Sequence, residues 1–325
     1  MANILVTGGA GYIGSVCAAQ LLALGHNVVV VDNLSTGFKE AVPASAAFYR
    51  ADIGDQNSIR ALLADRPIDV VFHFAAKALI PESVSNPGIF FKDNVASGVL
   101  FLEELRRAGV RKFVFSSTAA VYGNPKRTPI VEDDPKEPVN SYGESKLMFE
   151  RALAWYSRAY GWGVVALRYF NACGAWNNFG ERHDPETHIL PLLLQAVSGE
   201  LKAFKIFGSD YPTADGTCVR DYVHVLDIAD AHVRAMESLD EPGMEAFNIG
   251  TGKSYSVRQV IEAVESVTGS LVPVSVGGRR PGDPAVLCAS PEKLFRALGW
   301  QPQNSKLENI VRTAWEFQKS LRVEA

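Results

Sequence analysis

Apolar residues in the first half of the chain fall into short continuous runs separated by stretches with helical spacing. Ile4-Leu5-Val6, Val28-Val29-Val30-Val31, Val70-Val71-Phe72-His73-Phe74, Phe113-Val114-Phe115 and Gly163-Val164-Val165-Ala166-Leu167-Arg168 read as buried strands, with Ala47-Phe48-Tyr49-Arg50 as a shorter one. Val16, Cys17, Leu21 and Leu22 recur at helical spacing after the first strand, and residues 58–63 do so after the third. Two long amphipathic helices are predicted at about 89–108, stopped by Gly109, and at about 142–160. Regular alternation of buried strands and helices predicts an α/β fold, a doubly wound parallel sheet of the Rossmann-like kind.

After Asn171 the texture changes. Residues 172–188 are rich in Gly, Asn, Asp and Pro and read as a long loop. Helices are expected at 189–198, from near Asp227, and at 256–267. Strands are expected at 203–207, 219–225, 247–249 and 272–276. The resulting division is a dinucleotide domain at 1–171, with about 219–247 returning to it. A smaller α+β lobe takes 172–218 and 248–325 and faces the ends of the parallel strands.

Composition narrows the function. Hydrophobic residues make up 47% and charged residues 21%, with a net charge of −4. That balance offers no global attraction to nucleic acid or an anionic membrane, so phosphate recognition has to be local. No apolar run approaches the roughly 18 residues of a membrane span, and Met1-Ala2-Asn3 runs straight into the first strand. Cys17, Cys173, Cys218 and Cys288 form no C-x-x-C pair and read as small hydrophobes in a reducing compartment. The cytoplasm is the expected location.

The first strand breaks into Thr7-Gly8-Gly9-Ala10-Gly11-Tyr12-Ile13-Gly14, and the second ends in Asp32. Glycines at a strand-to-helix turn let the backbone approach a pyrophosphate at a helix N-terminus. A carboxylate at the end of the next strand suits a ribose diol, and it disfavours a 2′-phosphate. Further on, Tyr142 and Lys146 stand four residues apart at a helix start, on one face. Ser116-Ser117-Thr118, one strand earlier, supplies hydroxyls. A nearby ammonium would favour the phenolate of a tyrosine whose free pKa is about 10, making it a usable base.

These features resemble the extended short-chain dehydrogenase/reductases, and more narrowly the UDP-glucose 4-epimerase family. The narrower likeness rests on 32–37, 115–123, 141–146, Arg168-Tyr169-Phe170-Asn171, Asp184-Pro185-Glu186-Thr187-His188, 206–213, 216–225 and Arg279-Arg280-Pro281-Gly282-Asp283, and it spans essentially the whole chain. The resemblance implies an NAD cofactor, a UDP-sugar substrate and inversion at C4 by transient oxidation. Tyr142 is then the base, Lys146 tunes it and binds the nicotinamide ribose, and Thr118 holds the reacting oxygen. It further implies cofactor contacts at Gly8, Gly11, Tyr12, Ile13, Gly14, Asp32, Asn33, Asp52, Ile53, Phe74, Ala75, Asn94, Ser116 and Tyr169. Substrate contacts are implied at Asn171, His188, Phe207, Arg220, Arg280 and Asp283, and a homodimer packed through the two long helices.

The chain also departs from that pattern. Lys77 stands one position before the family's cofactor lysine, where this chain has Ala78; His188 replaces an asparagine. Trp176-Asn177-Asn178-Phe179 is unlike the usual acidic loop, and Leu287 falls near the position whose bulk limits N-acetylated sugars. Ala119-Ala120 after Thr118 supplies no proton carrier, where the 4,6-dehydratases place Asp-Glu. The alternatives are therefore 4-epimerisation of UDP-GlcNAc or UDP-arabinose and, less well supported, a dehydratase or a non-catalytic NAD-binding regulator. Gly250-Thr251-Gly252-Lys253-Ser254 imitates the end of a nucleotide-triphosphate loop, but Phe247 stands where the first glycine is needed. His183, Asp184, Glu186 and His188 share one loop without zinc-enzyme spacing, so no metal is expected. His224, Asp227, Asp230 and His232 straddle a helix start, where acids commonly cap.

Overall fold

The computed structural model describes residues 1–280 and 283–323; Pro281 and Gly282 of the Arg279–Asp283 motif lie outside the described residues, as do residues 324–325. The chain opens with β1 (Asn3–Thr7), α1 (Tyr12–Ala23), β2 (Asn27–Asp32), β3 (Ala47–Arg50), α2 (Gln56–Asp65) and β4 (Val70–His73). A short α3 (Ile80–Ser85) precedes α4 (Pro87–Phe90), which runs through a π turn (Phe91–Ala96) into α5 (Ser97–Arg107). The long helix expected at 89–108 is thus interrupted, and the π turn carries Asn94. Next come β5 (Lys112–Thr118), α6 (Ser141–Tyr160), β6 (Gly163–Tyr169) and β7 (Asn171–Cys173).

The second half contains α7 (Ile189–Val197), β8 (Phe204–Phe207), β9 (Val219–His224), α8 (Val225–Glu237) and β10 (Gly243–Ile249). It closes with β11 (Ser254–Ser256), α9 (Val257–Thr268), β12 (Val274–Gly277), β13 (Val286–Leu287), α10 (Glu292–Leu298) and α11 (Leu307–Val323). Caps set several of these boundaries. Asn140 accepts from the Gly143 amide to start α6, and Ser256 and Gln259 form a capping box on α9. The His224 ring accepts from the Leu226 amide, so α8 begins ahead of Asp227.

Seven parallel strands form the main sheet in the order β10-β6-β5-β4-β1-β2-β3. Because both faces are covered, successive residues of one run bury in opposite directions. Ile4, Val6, Val28, Val30 and Phe72 enter one core with α1 and α8, while Leu5, Val29, Val31 and Val71 enter another with α5 and α6. Helix α1 is apolar nearly all round because it packs on the sheet and also on α8 through Val16, Cys17, Val225 and Ala229. A separate core of Leu193, Leu194, Ile206, Val260, Val264, Ile310 and Val311 builds the lobe beyond the sheet. There β9 pairs with β7, β11 and β13, and β8 pairs with β12. No described helix is long and apolar enough to cross a membrane.

Two buried polar groups tie the main sheet together. His73 on β4 is ringed by Phe101, Phe113, Phe115 and Phe149 at 5.4–5.9 Å, and its Nδ1 meets the Thr7 hydroxyl at 2.8 Å. Burial, with Lys146 nearby, lowers its pKa to about 3. Arg168 on β6 donates to both carboxylate oxygens of Glu150 on α6, at 3.0 and 2.7 Å, and to the Tyr122 hydroxyl at 2.8 Å. Ser117 on β5 donates to Glu150 at 2.5 Å, and Tyr122 donates to Asn248 on β10 at 2.7 Å. The pair's side chains are each only 5% exposed, so water does not screen it.

Two outcomes follow for stability. Arg168→Met leaves the Glu150 carboxylate buried and unpaired, so we expect a loss of about 3–5 kcal/mol by urea denaturation. Adding Glu150→Gln should restore part of it; a single mutant as stable as the parent would show the pair to be dispensable. The native pKa of His73 lies below its unfolded value of about 6.5, so the unfolded chain binds a proton that the native chain refuses. Stability therefore falls as pH drops from about 6.5 towards about 3, by up to ~1.4 kcal/mol per unit from this residue. His73→Gln should make the slope of stability against pH shallower by one proton.

Candidate active site

The parallel strands end at a cavity of 1680 Å³ closed over by the second lobe. It runs from Gly8, Gly11, Tyr12, Ile13 and Gly14 past Asp32, Asn33, Asp52, Ile53, Phe74 and Ala75 to Ser116, Thr118, Tyr142, Lys146 and Tyr169. It then continues to Asn171, His188, Phe207, Arg220, Arg280 and Asp283. Of the residues expected to contact cofactor or substrate, Asn94 alone does not line it. Its amide is spent behind the wall, bonding the Lys77 backbone at 2.8 and 3.0 Å and the Ser145 hydroxyl at 2.9 Å. Asn94 is therefore placed as a brace for the strand-end loop that carries Lys77, rather than as a wall residue.

The glycine turn is built for close approach. Gly8 has φ +70, and a Cβ on it would come within 2.5 Å of the Ala75 amide nitrogen; one on Gly14 would come within 2.3 Å of the Gly8 carbonyl oxygen. At Gly11, the N-cap of α1, a Cβ would meet only the Gly8 oxygen at 3.3 Å. No side chain caps that helix and no acid occupies its first turn, so its amides and positive dipole end face the cavity unspent. Asp32 accepts from the Ala10 amide at 3.0 Å and the Leu34 amide at 2.8 Å. Asn33 donates to Asp52 at 2.8 Å. These groups fit a dinucleotide such as NAD, with its pyrophosphate at Gly11 and its adenosine along Asp32 to Ile53.

Deeper in the cavity, the start of α6 presses on the turn after β5. A Cβ on Gly143 would lie 2.5 Å from the Ala120 carbonyl oxygen, so glycine here lets Tyr142 reach Thr118. Tyr142 is half-buried, and desolvation raises its pKa, with the Thr118 hydroxyl pulling the other way. Lys146 donates to the Ser116 carbonyl at 2.8 Å and lies 4.8 Å from the Phe115 ring centre. Burial lowers its pKa to about 7, against the pull of Glu150. Desolvation therefore outweighs the Thr118 hydroxyl in setting the direction of the Tyr142 shift. Beside them the Tyr169 hydroxyl meets His232 Nε2 at 2.6 Å, and His232 Nδ1 meets the Ile228 carbonyl at 2.9 Å. The carbonyl only accepts, so the imidazole carries its proton on Nδ1 and Tyr169 donates.

At the far end Arg220 donates to Asp283, and also to the Val219 carbonyl at 2.8 Å. The Arg280 guanidinium lies 3.9 Å from the Phe207 ring centre. Asn171 donates to the Asp221 carbonyl at 2.8 Å. Glu181, His183 and Glu186 join His188 on the wall, as do Lys77 and Phe317 of α11. Sequence reasoning missed Glu181, although Glu-x-His-x-x-Glu-x-His was its signal. It also missed α10 and α11, which carry no motif, and α11 reaches the cavity by amphipathic packing alone.

Comparison with known proteins gives the family. Residues 4–250 match the NAD dependent epimerase/dehydratase family. The chain is 48% identical to UDP-glucose 4-epimerase of Corynebacterium glutamicum over 98% of its own length and 96% of the relative's. It is 47% identical to that of Lacticaseibacillus casei, covering 98% and 97%. The NAD complex of UDP-glucose 4-epimerase from Brucella ovis superposes with a TM-score of 0.94 at 43% identity, covering 98% of both chains. The Stenotrophomonas maltophila enzyme, with bound NAD and formylated UDP-arabinopyranose, gives 0.96 at 38% identity, covering 100% of both. By fold, glycine turn and the Tyr142–Lys146 pair, the chain belongs to the NAD dependent epimerase/dehydratase family.

Proposed function

We propose that the chain is a UDP-glucose 4-epimerase, interconverting UDP-glucose and UDP-galactose. The observation that carries this is the meeting of Thr118, Tyr142 and Lys146 on one wall, between an unspent helix N-terminus and the Arg220–Asp283 end. When bound, NAD supplies the hydride acceptor and donor for carbon 4 of the sugar and a positive ring beside the phenol. Tyr142 takes the proton from the 4-hydroxyl and later returns it. Thr118 holds the reacting oxygen, and Lys146 steadies the phenolate and the nicotinamide ribose. Arg220 and Arg280 take the diphosphate, with Asp283 on the uridine ribose and Phe207, Asn171 and His188 around the base. Ala119 and Ala120 offer no second acid or base, which favours epimerisation over dehydration.

The division into a dinucleotide domain and a sugar-nucleotide lobe belongs to this reading. So does a cytoplasmic setting, which the four free cysteines suit. We also read the protein as a homodimer packed through α5 and α6. Met148 and Trp155, seven residues apart on α6 and so on one face, are 38% and 67% exposed, and Leu100 on α5 is 40% exposed. Trp155→Glu should shift the protein towards monomer in analytical ultracentrifugation; a parent that already sediments as a monomer would end that reading.

Tyr142→Phe should keep NAD bound while turnover falls by roughly 10²–10⁴-fold, the usual worth of a positioned proton carrier. Retained turnover would remove Tyr142 from the mechanism. Purified protein without added NAD should convert UDP-galactose to UDP-glucose. UDP-GlcNAc and UDP-arabinose tested alongside read out the sugar preference, and a protein that holds NAD yet leaves UDP-galactose unchanged would refute the function.

A further inference from the structure

The loop between β7 and α7 places two imidazoles and two carboxylates together on the cavity wall. His183 Nδ1 contacts Glu181 Oε1. His188 Nδ1 lies 2.8 Å from Glu186 Oε1 and 3.7 Å from Glu181 Oε2. The two rings stand 5.2 Å apart. Glu186 Oε1 is itself fixed, accepting from the amides of Thr187 and His188 at 2.7 Å each.

What sets the cluster apart is its charge. The side chains of Glu181 and Glu186 are only 11% and 7% exposed, yet among the described residues neither pairs with a lysine or arginine. The adjacent guanidinium, Arg182, is turned onto the Phe317 ring, 5.2 Å from its centre. The two carboxylates thus have only the two imidazoles as side-chain partners, and a shared cation would bind all four groups. One ligand atom from each of Glu181, His183 and His188 falls within 4.8 Å of the other two. Some point thus lies within about 2.8 Å of all three, and small side-chain rotations bring it to the ~2.0–2.2 Å of zinc–nitrogen and zinc–oxygen bonds.

We propose that Glu181, His183 and His188, with Glu186 hydrogen-bonded to the His188 ring, bind one zinc-type divalent cation. Two imidazole nitrogens with one carboxylate select a borderline ion over magnesium or calcium, which prefer all-oxygen shells. The ion clasps the loop to itself at the cavity wall. Nearby, the Tyr12 hydroxyl donates to the Gly174 carbonyl at 2.6 Å and ties the start of that loop to α1. The site is thus a structural clasp on the ligand cavity, independent of which sugar nucleotide enters it.

The test uses full-length protein with its NAD, treated with chelator, dialysed, and titrated with zinc chloride in a calorimeter, with magnesium chloride as control. One zinc per chain is expected, with no response to magnesium. Cobalt(II) in its place should give the intense visible absorption of a low-coordinate site. Glu181→Gln, which keeps shape and loses charge, should weaken zinc binding by at least about 10-fold, and His183→Ala should do the same. Where His183→Ala fails to fold, judged by circular dichroism and NAD content, Glu181→Gln decides alone. No stoichiometric zinc binding would overturn the proposal, as would binding undiminished in Glu181→Gln.

Discussion

The site depends first on how closely backbone meets backbone at the Gly8–Gly14 turn. The Gly8 amide donates to the Val31 carbonyl at 2.8 Å, and the Phe74 amide donates to the Thr7 carbonyl at 2.9 Å. The turn is therefore stitched to the ends of β2 and β4 at once. Asp32 follows Val31 directly, and its carboxylate accepts from Ala10 inside the turn at 3.0 Å. Turn and acid form one unit: the carboxylate positioned for a ribose also holds the loop positioned for phosphates. Burial raises the pKa of Asp32, against the two amides that donate to it, so this unit is costly to maintain and rigid once formed.

A second constraint governs the chemistry. Tyr142, Lys146 and Glu150 follow one another at four-residue intervals along α6, so phenol, amine and carboxylate share a stripe. If Glu150 were free, it would hold the amine firmly charged. It is instead taken up by the Arg168 guanidinium and the Ser117 hydroxyl. Lys146 is left with a pKa of about 7, and desolvation raises that of the phenol. A positive charge placed beside Tyr142 would favour its phenolate, so the proposed base is sensitive to what lies next to it.

The sequence was most legible where local chemistry and tertiary role coincide. The strand runs of the main sheet, the glycine turn, Asp32 and the Tyr142–Lys146 pair each declare themselves through spacing alone. For Asn94, family position says only that it stands near a ligand, whereas its bonds to Lys77 and Ser145 could be read only from the packed fold. The π turn at Phe91–Ala96 left no mark, since its residues are ordinary helix formers. Helices α10 and α11 lack chemical motifs and were passed over, though α11 buries Leu307, Ile310 and Val311 in the second core. The pKa of Lys146 was beyond reach because burial depends on the packing of α6 against β5.

The two glycine turns of the chain show why a motif needs its unspent donors. Gly250-Thr251-Gly252-Lys253-Ser254 looks in sequence like a phosphate cradle. In the fold, Asp221 accepts from the amides of Thr251 at 2.9 Å and Gly252 at 3.1 Å, and from that of Ala289 at 3.2 Å. A buried carboxylate has taken the place a phosphate would need, and it locks β9 to the residues after β10 and β13. That lock sits next to Arg220, so the decoy turn helps to set the arginine's position. In the Gly8–Gly14 turn the internal carboxylate, Asp32, takes only the Ala10 amide and Gly11 donates to the Gly8 carbonyl at 3.1 Å, so the first amides of α1 stay uncapped by any side chain. The difference between a binding turn and a structural one thus lies in which amides the protein's own anion takes.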